Sequence, residues 1–401
     1  MPFDQKPAPR MLPFAYPAKN FINYKTTASQ IDESTTLESI RDMLRKLDAK
    51  RQPMDRVYSL KSCIVKFENH RPQLRRIVGK NQLSAPVYFS ERGWQMFCDF
   101  VLPSTGIRKG YRIQAQTPLT DTNPLSPNQV ATRAESVATI DINWWIQNYA
   151  PDRNVLLRTV LTQSPHGEVE RIIRSVQTPS YTVLDELEYV NLILDTQPEL
   201  GLKPILKANV GSNGMWIRLL EAPQQKLELN KLVPTRDFWT SPTSLRKVGQ
   251  GYGGIRLVCT NGMTSHEKEA ILEIRHSGDK QMIRESLRSN MQFQQAKRDG
   301  VMDRYNQALD VAIDDAWTWM ENALGMEKVA ASTVEKVRFG MRDKTSNPVG
   351  TLANVIDGMT LIAQNTDDFD TFDSWDFERV ASKVLVRGLR QAKDGKIFVK
   401  A

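Results

Sequence analysis

The sequence predicts an α+β fold, with a mainly antiparallel, strand-rich N-terminal half flanked by helices and a helical C-terminal half. Up to about residue 262, short apolar runs alternate with turn residues, which is typical of antiparallel strands. From Glu267 to Leu324, Pro and Gly are nearly absent and residues that favour helices dominate. We therefore expect a flexible N-terminal arm at residues 1–30, a strand-rich core domain at 31–262 and a helical region at 263–401.

The first elements follow from the spacing of apolar residues. Five prolines among the first 17 residues predict the arm. Leu37, Ile40 and Leu44 recur at helical spacing, whereas residues 57–68 alternate as a strand does. Ser90 is expected to cap a second helix, because a serine just before an amphipathic run accepts a hydrogen bond from the first turn.

The middle of the chain alternates between predicted helices and strands. We expect a loop marked by prolines up to Pro127, then a helix at 137–149. The apolar runs at 155–161 and 169–176 predict a hairpin. Another helix is predicted at 185–194, and further strands at 204–210, 215–221 and 226–233.

A glycine-rich segment, Gly251–Met263, predicts a turn, a buried strand and a second turn. Its glycines tolerate sharp turns, Ile255 to Cys259 suits a buried strand, and Asn261-Gly262 is a turn signal. The glycines superficially resemble a phosphate-binding loop. A strand rather than a helix N-terminus follows them, so we favour an architectural turn. Beyond it we expect two or three helices at 267–324 and single helices at 351–364 and 375–392.

The charge is unevenly distributed along the chain. The formal net charge is +8. Leu60–Arg112 contains ten basic and three acidic residues, whereas Asp314–Asp376 contains twelve acidic and five basic residues. A basic stretch interleaved with aromatic residues favours a nucleic-acid partner, because cations contact phosphates and aromatic rings stack on unpaired bases.

The residues expected to bind nucleic acid are basic or aromatic and lie in this stretch, in the predicted hairpin or beside the glycines. They are Arg71, Arg75, Arg76, Lys80, Arg108, Lys109, Tyr111, Arg112, Arg158, Arg171, Arg174, Arg246, Lys247 and Arg256. For any one of them, an ordinary surface cation is the simpler interpretation.

We find no set of residues typical of catalysis. The chain lacks the P-loop pattern and the serine nucleophile elbow. Its four histidines are not spaced as metal ligands, and its three cysteines lie far apart, as buried apolar residues do. We therefore expect no cofactor, no bound metal and no disulfide, although the sequence leaves enzymatic activity open.

An acidic, aromatic run at 365–378 allows three interpretations. In the first, the aspartates lie at a helix N-terminus, where acidic side chains are common. In the second, they ligate Mg²⁺ or Ca²⁺, although the EF-hand pattern is not met. In the third, the run docks a partner protein. The residues expected in such docking are Asp368, Phe369, Asp370, Phe372 and Trp375.

Several segments in order resemble a family of phage- and plasmid-borne proteins catalogued as domain of unknown function nine-three-two. They are Phe89–Trp94, Asn154–Arg158, Arg171–Ser175, Ile255–Met263 and Thr351–Asp357. The chain departs from the family at Ser175–Tyr181, where the family usually carries Ser-x-Arg-Tyr, and at Leu352 and Asp357, where it often has Trp and Thr. The resemblance implies a phage or mobile-element origin and assigns no catalytic residue.

Two hypotheses of different classes follow. The first is a non-enzymatic DNA-binding protein of phage replication or recombination, which binds or anneals single-stranded DNA. The alternative is a phage-encoded interaction protein that engages a host factor through residues 365–378. A weaker third is a metal-dependent nuclease.

The expected partners are DNA, a second copy of the chain and a replication protein of host or phage. No membrane partner is expected, because no apolar run reaches the ~20 residues that span a bilayer. The expected location is the host cytoplasm, because three widely spaced cysteines without disulfide spacing are typical of a reducing compartment.

Overall fold

The computed structural model shows an α+β protein, which confirms the predicted fold class. The residues that it describes are 36–68, 71–80, 82–102, 127–149, 152–163, 168–211, 214–220, 232–241, 243, 247–256, 261–264, 271–292, 295–343, 350–365 and 373–397.

The chain divides into two compact units. Among the described residues, the first comprises those of Leu44–Val183 and Pro242–Leu245, and the second comprises those of Thr26–Met43, Leu184–Ser241 and Arg246–Ala401. The first helix, α1 (Leu37–Arg51), is divided between them after Met43. Strands and helices on both sides of residue 262, the predicted domain boundary, belong to the second unit.

The described part of the first unit contains a seven-stranded mixed sheet in the order β1-β6-β7-β5-β3-β2, with β4 paired to β3. Only the contact between β5 and β7 is parallel among the described pairs. The strands are β1 (Met54–Ser59), β2 (Cys63–Glu68), β3 (Arg71–Gly79), β4 (Gln82–Leu83), β5 (Val87–Phe89), β6 (Asn154–Gln163) and β7 (Val169–Gln177).

Residues 57–68 do not form the single strand that their alternation predicts. A short 3₁₀ turn, Leu60–Ser62, separates β1 from β2. Leu60 is buried, and its amide donates to the carbonyl oxygen of Arg153. The buried leucine therefore interrupts the run and allows β1 and β2 to lie at opposite edges of the sheet.

Two helices pack beside this sheet. Helix α2 (Glu91–Val101) begins at Ser90, whose hydroxyl accepts a hydrogen bond from the Gly93 amide at 3.0 Å, as predicted. Trp94 and Phe97 on its inner face are fully buried in the core. Helix α3 covers Pro127–Asn148, so Pro127 lies in a helix rather than in the predicted loop. Proline is tolerated in the first turn because those amides have no partner within the helix.

The described part of the second unit contains a six-stranded antiparallel sheet in the order β12-β11-β10-β9-β8, with β13 paired to β11. The strands are β8 (Ile205–Gly211), β9 (Gly214–Leu220), β10 (Leu232–Thr240), β11 (Val248–Arg256), β12 (Asn261–Thr264) and β13 (Ile271–Ile274). Of the strand predicted at 226–233, residues 226–231 lie outside the described chain, and 232 and 233 begin β10. Two unpredicted short strands, β12 and β13, follow Arg256.

The glycines at 251–254 lie within β11 and not in the predicted turn before a strand, which corrects that prediction. Residues 257–260, most of the predicted buried strand, lie outside the described chain. Gly249, Gly251 and Gly253 lie at alternate positions of β11 and pair with Trp239, Asp237 and Thr235 of β10. They share one face of the sheet with those bulky residues, since directly opposed residues lie on the same face. The glycines therefore make room for side chains, and Asn261-Gly262 begins β12.

Besides the start of α1, the described part of the second unit contains seven helices, one before its strands and six after them. They are α4 (Glu186–Thr196), α5 (Lys280–Gln292), α6 (Gln295–Leu309), α7 (Ala316–Met326), α8 (Ala331–Asp343), α9 (Leu352–Asn365) and α10 (Asp373–Lys393). Helices α6 to α10 share an apolar core that includes Met320, Ile356 and Val384. Among the described helices, none is both long and apolar enough to cross a bilayer.

Candidate nucleic-acid interface

Arg71, the first of the predicted cations, is committed to an ion pair. On β3, its guanidinium donates two hydrogen bonds to Glu170 of β7, at 2.9 and 2.5 Å. It also lies over the ring of Tyr88, 4.1 Å from the ring centre. The hydrogen bonds with Glu170 raise the pKa of Arg71 despite its partial burial. Its charge is therefore neutralised within the sheet.

Glu68 joins the neighbouring polar groups to the same network. It accepts hydrogen bonds from the side chains of Gln73 and Tyr88, at 3.0 and 3.1 Å, and lies 3.9 Å from Arg75. Burial, followed by the hydrogen bond with Glu68, raises the pKa of Tyr88. With two arginines and two glutamates, the network carries no net charge, so it is a poor phosphate site.

Arg158 and Arg174 are buried rather than displayed on a surface. Arg158 is 2% exposed and pairs with Asp55 at 3.1 Å, and Arg174 is 7% exposed. Arg171 donates to the Gln52 carbonyl oxygen and to the Thr159 hydroxyl, both at 3.2 Å. A nucleic acid cannot reach the two buried arginines in this conformation, so the interface proposed below does not include them.

Three of the predicted cations are at least partly exposed to solvent: Arg76, Lys80 and Lys247. Arg76 is partly exposed with its guanidinium 4.7 Å from the ring centre of Tyr58, and Lys80 is exposed at the end of β3. Lys247 is exposed but pairs with Glu273 at 3.2 Å.

Several predicted site residues lie outside the described part of the chain. They are Arg108, Lys109, Tyr111, Arg112, Arg246, Asp368, Phe369, Asp370 and Phe372, together with the side chains of Arg256 and Trp375. The end of the acidic run is described: Phe377 and Glu378 are buried in α10. Docking of a host factor through 365–378 stays a prediction.

A better-formed surface lies at the C-terminal end of α3, where an asparagine fixes the helix to the edge of the sheet. The Asn143 side chain accepts a hydrogen bond from the Val65 amide at 2.8 Å and donates to its carbonyl oxygen at 2.9 Å. An edge strand presents such groups unpaired, so Asn143 both covers β2 and sets the orientation of the following turn.

That turn displays three aromatic rings in mutual contact. Trp144 is 49% exposed and Tyr149 is 65% exposed, and their ring centres lie 5.2 Å apart. Trp145 contacts both rings, with its centre 5.4 Å from that of Trp144 and 4.2 Å from that of Tyr149, and packs against the core below. Exposed aromatic rings held by a partly buried neighbour form a preorganised surface, because their side chains have little conformational entropy left to lose on binding.

Two exposed cations, Lys61 and Arg153, lie near the end of α3, and the Arg153 guanidinium lies over the ring of Phe100, 5.4 Å from its centre. The Gln147 side chain donates to the Lys61 carbonyl oxygen at 3.4 Å, which places Lys61 beside the helix end. Arg153 follows Tyr149 by four residues, and its guanidinium donates to the Phe100 carbonyl oxygen at 3.1 Å. Both cations are exposed. We call Trp144, Trp145, Tyr149, Lys61 and Arg153 the tryptophan patch.

The helical spacing of residues 142–146 contains a signal for this patch. Ile142 and Ile146 lie four residues apart and are fully buried, which defines the inner face of α3. Trp144 falls halfway between them and must point away from that face. The sequence therefore predicts that Trp144 is exposed.

No metal centre accompanies the patch: within the described residues, no group of three or more His, Cys, Asp or Glu side chains is arranged to hold an ion. Comparisons with models of protein families, with curated proteins and with solved structures found no match. The family resemblance inferred from the sequence therefore stays a prediction.

Proposed function

We propose that this protein is a non-enzymatic DNA-binding protein that binds or anneals single-stranded DNA during replication or recombination of a phage or mobile element. The observation that carries the proposal is the pair of exposed, touching rings of Trp144 and Tyr149 at the end of α3, with the exposed residues Lys61 and Arg153 near that helix end. The phage or mobile-element setting rests only on the sequence resemblance.

The chemistry of the tryptophan patch favours unpaired bases. Each base has two aromatic faces, which are covered by neighbouring bases in a duplex and accessible in a single strand. Stacking of one base on a protein aromatic ring contributes about 1–3 kcal/mol and tolerates any sequence. Two exposed rings can therefore take one or two bases of a strand without reading their identity.

The charge around the patch predicts modest salt dependence. Lys61 and Arg153 are the exposed cations that we expect to contact phosphates, while Asp141 and Asp152 lie nearby in the chain and oppose them. Each phosphate contact with a single strand contributes a slope of about −0.7 to the plot of log affinity against log salt concentration. Two contacts give a slope of about −1.4, much shallower than that of a protein that binds mainly through charge.

Fluorescence anisotropy with a labelled oligothymidylate and a duplex of the same length tests the proposal. We expect the single strand to bind more tightly than the duplex, with a shallow salt slope between about 50 and 200 mM. Tighter binding of the duplex, or no binding of either, would contradict the proposal. Added Mg²⁺ should leave the oligonucleotides intact, whereas cleavage would favour the nuclease alternative.

A further inference from the structure

We infer that the last turns of α10 in the second unit form a binding site for a phosphorylated ligand of nucleotide size. Two cavities of about 470 and 450 Å³ lie against this helix and share Val386 and Arg390 in their walls. Cavities of about 300–1,000 Å³ are the usual size of small-ligand sites. The inference does not depend on the proposed DNA binding, which concerns the first unit.

The wall of the larger cavity is held rigid by Glu327. This carboxylate pairs with Lys383 at 3.1 Å and with Arg387 at 2.6 Å, and Arg387 also donates to the Ala323 carbonyl oxygen at 3.0 Å. Partial burial opposes ionisation of Glu327, but the hydrogen bonds and charges of both cations keep its pKa below the ordinary value. One of the two positive charges is left uncompensated, because a single carboxylate faces two cations.

Arg390 is the residue best placed to contact a phosphate. It is exposed, it lines both cavities, and it has no ion-pair partner among the described residues. In the larger cavity Lys396 lies 3.7 Å from Asp394, which offsets its charge. In the smaller cavity Arg304 and Lys393 outnumber the one acidic residue of the wall, Asp303, and leave it positive. A guanidinium suits this role because its planar fork donates two parallel hydrogen bonds to phosphate oxygens.

The rest of the larger cavity suits a planar, partly apolar body. Met326 is 63% exposed in its wall and lies beside Val386. A thioether adapts to an aromatic ring and makes favourable contacts with it. The Gln391 oxygen already accepts a hydrogen bond from the Trp319 indole at 2.7 Å, which leaves the amide nitrogen of Gln391 to donate to a ligand. Apolar contact, an oriented amide and a free arginine together match a nucleoside phosphate.

Isothermal titration calorimetry of the full chain with AMP, adenosine and inorganic phosphate tests the site. We expect AMP to bind at least tenfold more tightly than either of the other two. Equal binding of AMP and adenosine would overturn the role of the phosphate, and equal binding of AMP and phosphate would overturn the role of the nucleoside. Absence of AMP binding would overturn the site itself.

Two variants and a control locate the binding. Arg390→Ala should weaken AMP binding at least tenfold, whereas Arg288→Ala, an exposed arginine on α5, should leave it unchanged. Met326→Ala should weaken AMP binding and leave the weak phosphate binding unaltered, which separates the two subsites. Equal effects of Arg390→Ala and Arg288→Ala would overturn the assignment.

Discussion

Arg218 and Glu378, which are 160 residues apart in the chain, form a fully buried ion pair with 2.5 Å between Nη2 and Oε2. Arg218 lies on β9 and Glu378 on α10, so the pair joins the second sheet to the last helix. Asp237 on β10 accepts two further hydrogen bonds from the same guanidinium, at 2.8 and 2.9 Å. Burial acts to lower the pKa of Arg218, but the charges of Asp237 and Glu378 outweigh it and raise that pKa.

Among these three residues, Arg218 is expected to contribute more to the free energy of unfolding than either carboxylate. Arg218→Met leaves two buried carboxylates without a counter-charge, and loss of one partner from a buried pair costs about 3–5 kcal/mol. Glu378→Gln should cost less, because Asp237 still neutralises Arg218. Urea unfolding followed by circular dichroism measures both, with Glu285→Gln on the exposed face of α5 as the control. A larger loss for Glu378→Gln than for Arg218→Met would contradict this order.

Gly249 is expected to tolerate no side chain. A Cβ there would lie 2.6 Å from the Trp239 ring and would also collide with the carbonyl oxygen of Leu272. Because Trp239 is fully buried and cannot move aside, Gly249→Ala should destabilise the fold by about 1–3 kcal/mol.

Gly325 provides the matched control for this substitution. It lies in α7, and a Cβ there meets no atom within 4 Å. Gly325→Ala should therefore stabilise the helix by up to about 1 kcal/mol, since alanine has the higher helix propensity. Thermal unfolding that ranks the two variants in the reverse order would refute the close-packed interpretation of β11.

Cys63 should make stability depend on pH in the alkaline range. Burial raises the pKa of its thiol from 9.0 to about 11. The unfolded thiol loses its proton above pH 9 while the folded one keeps it, so the free energy of unfolding should fall between pH 9 and 11 by about 2 kcal/mol. Cys63→Ala should lack this component, and identical pH profiles for the variant and the wild type would show that the thiol is not the cause.

The sequence specifies the local elements better than the contacts between them. The strands of the β6–β7 hairpin are predictable because their apolar runs are dense and bounded by turn residues. The sequence pattern wrongly assigns the glycines of β11 to a turn. Glycine favours turns, and the residues opposite it on β10, which explain the glycines, cannot be identified from the sequence. Spacing also carries no information about Glu170, which lies 99 residues from Arg71 and cancels its charge.

Lys61 should contribute charge to DNA binding without contributing specificity. Lys61→Ala should weaken binding of single-stranded DNA at low salt and make the salt slope shallower by about 0.7, the contribution of one phosphate contact. Lys46→Ala, an exposed lysine on α1, should leave the slope unchanged. An unchanged slope for Lys61→Ala would remove Lys61 from the tryptophan patch.

The most direct measurement is the affinity of a Trp144→Ala, Tyr149→Ala double variant for a labelled oligothymidylate, read by fluorescence anisotropy. Each stacked base contributes about 1–3 kcal/mol, so we predict that the double variant loses affinity by about tenfold or more. Val169→Ala, which truncates an equally exposed apolar residue of the same unit, should bind as the wild type does. Wild-type affinity in the double variant would contradict the proposal that the tryptophan patch binds single-stranded DNA.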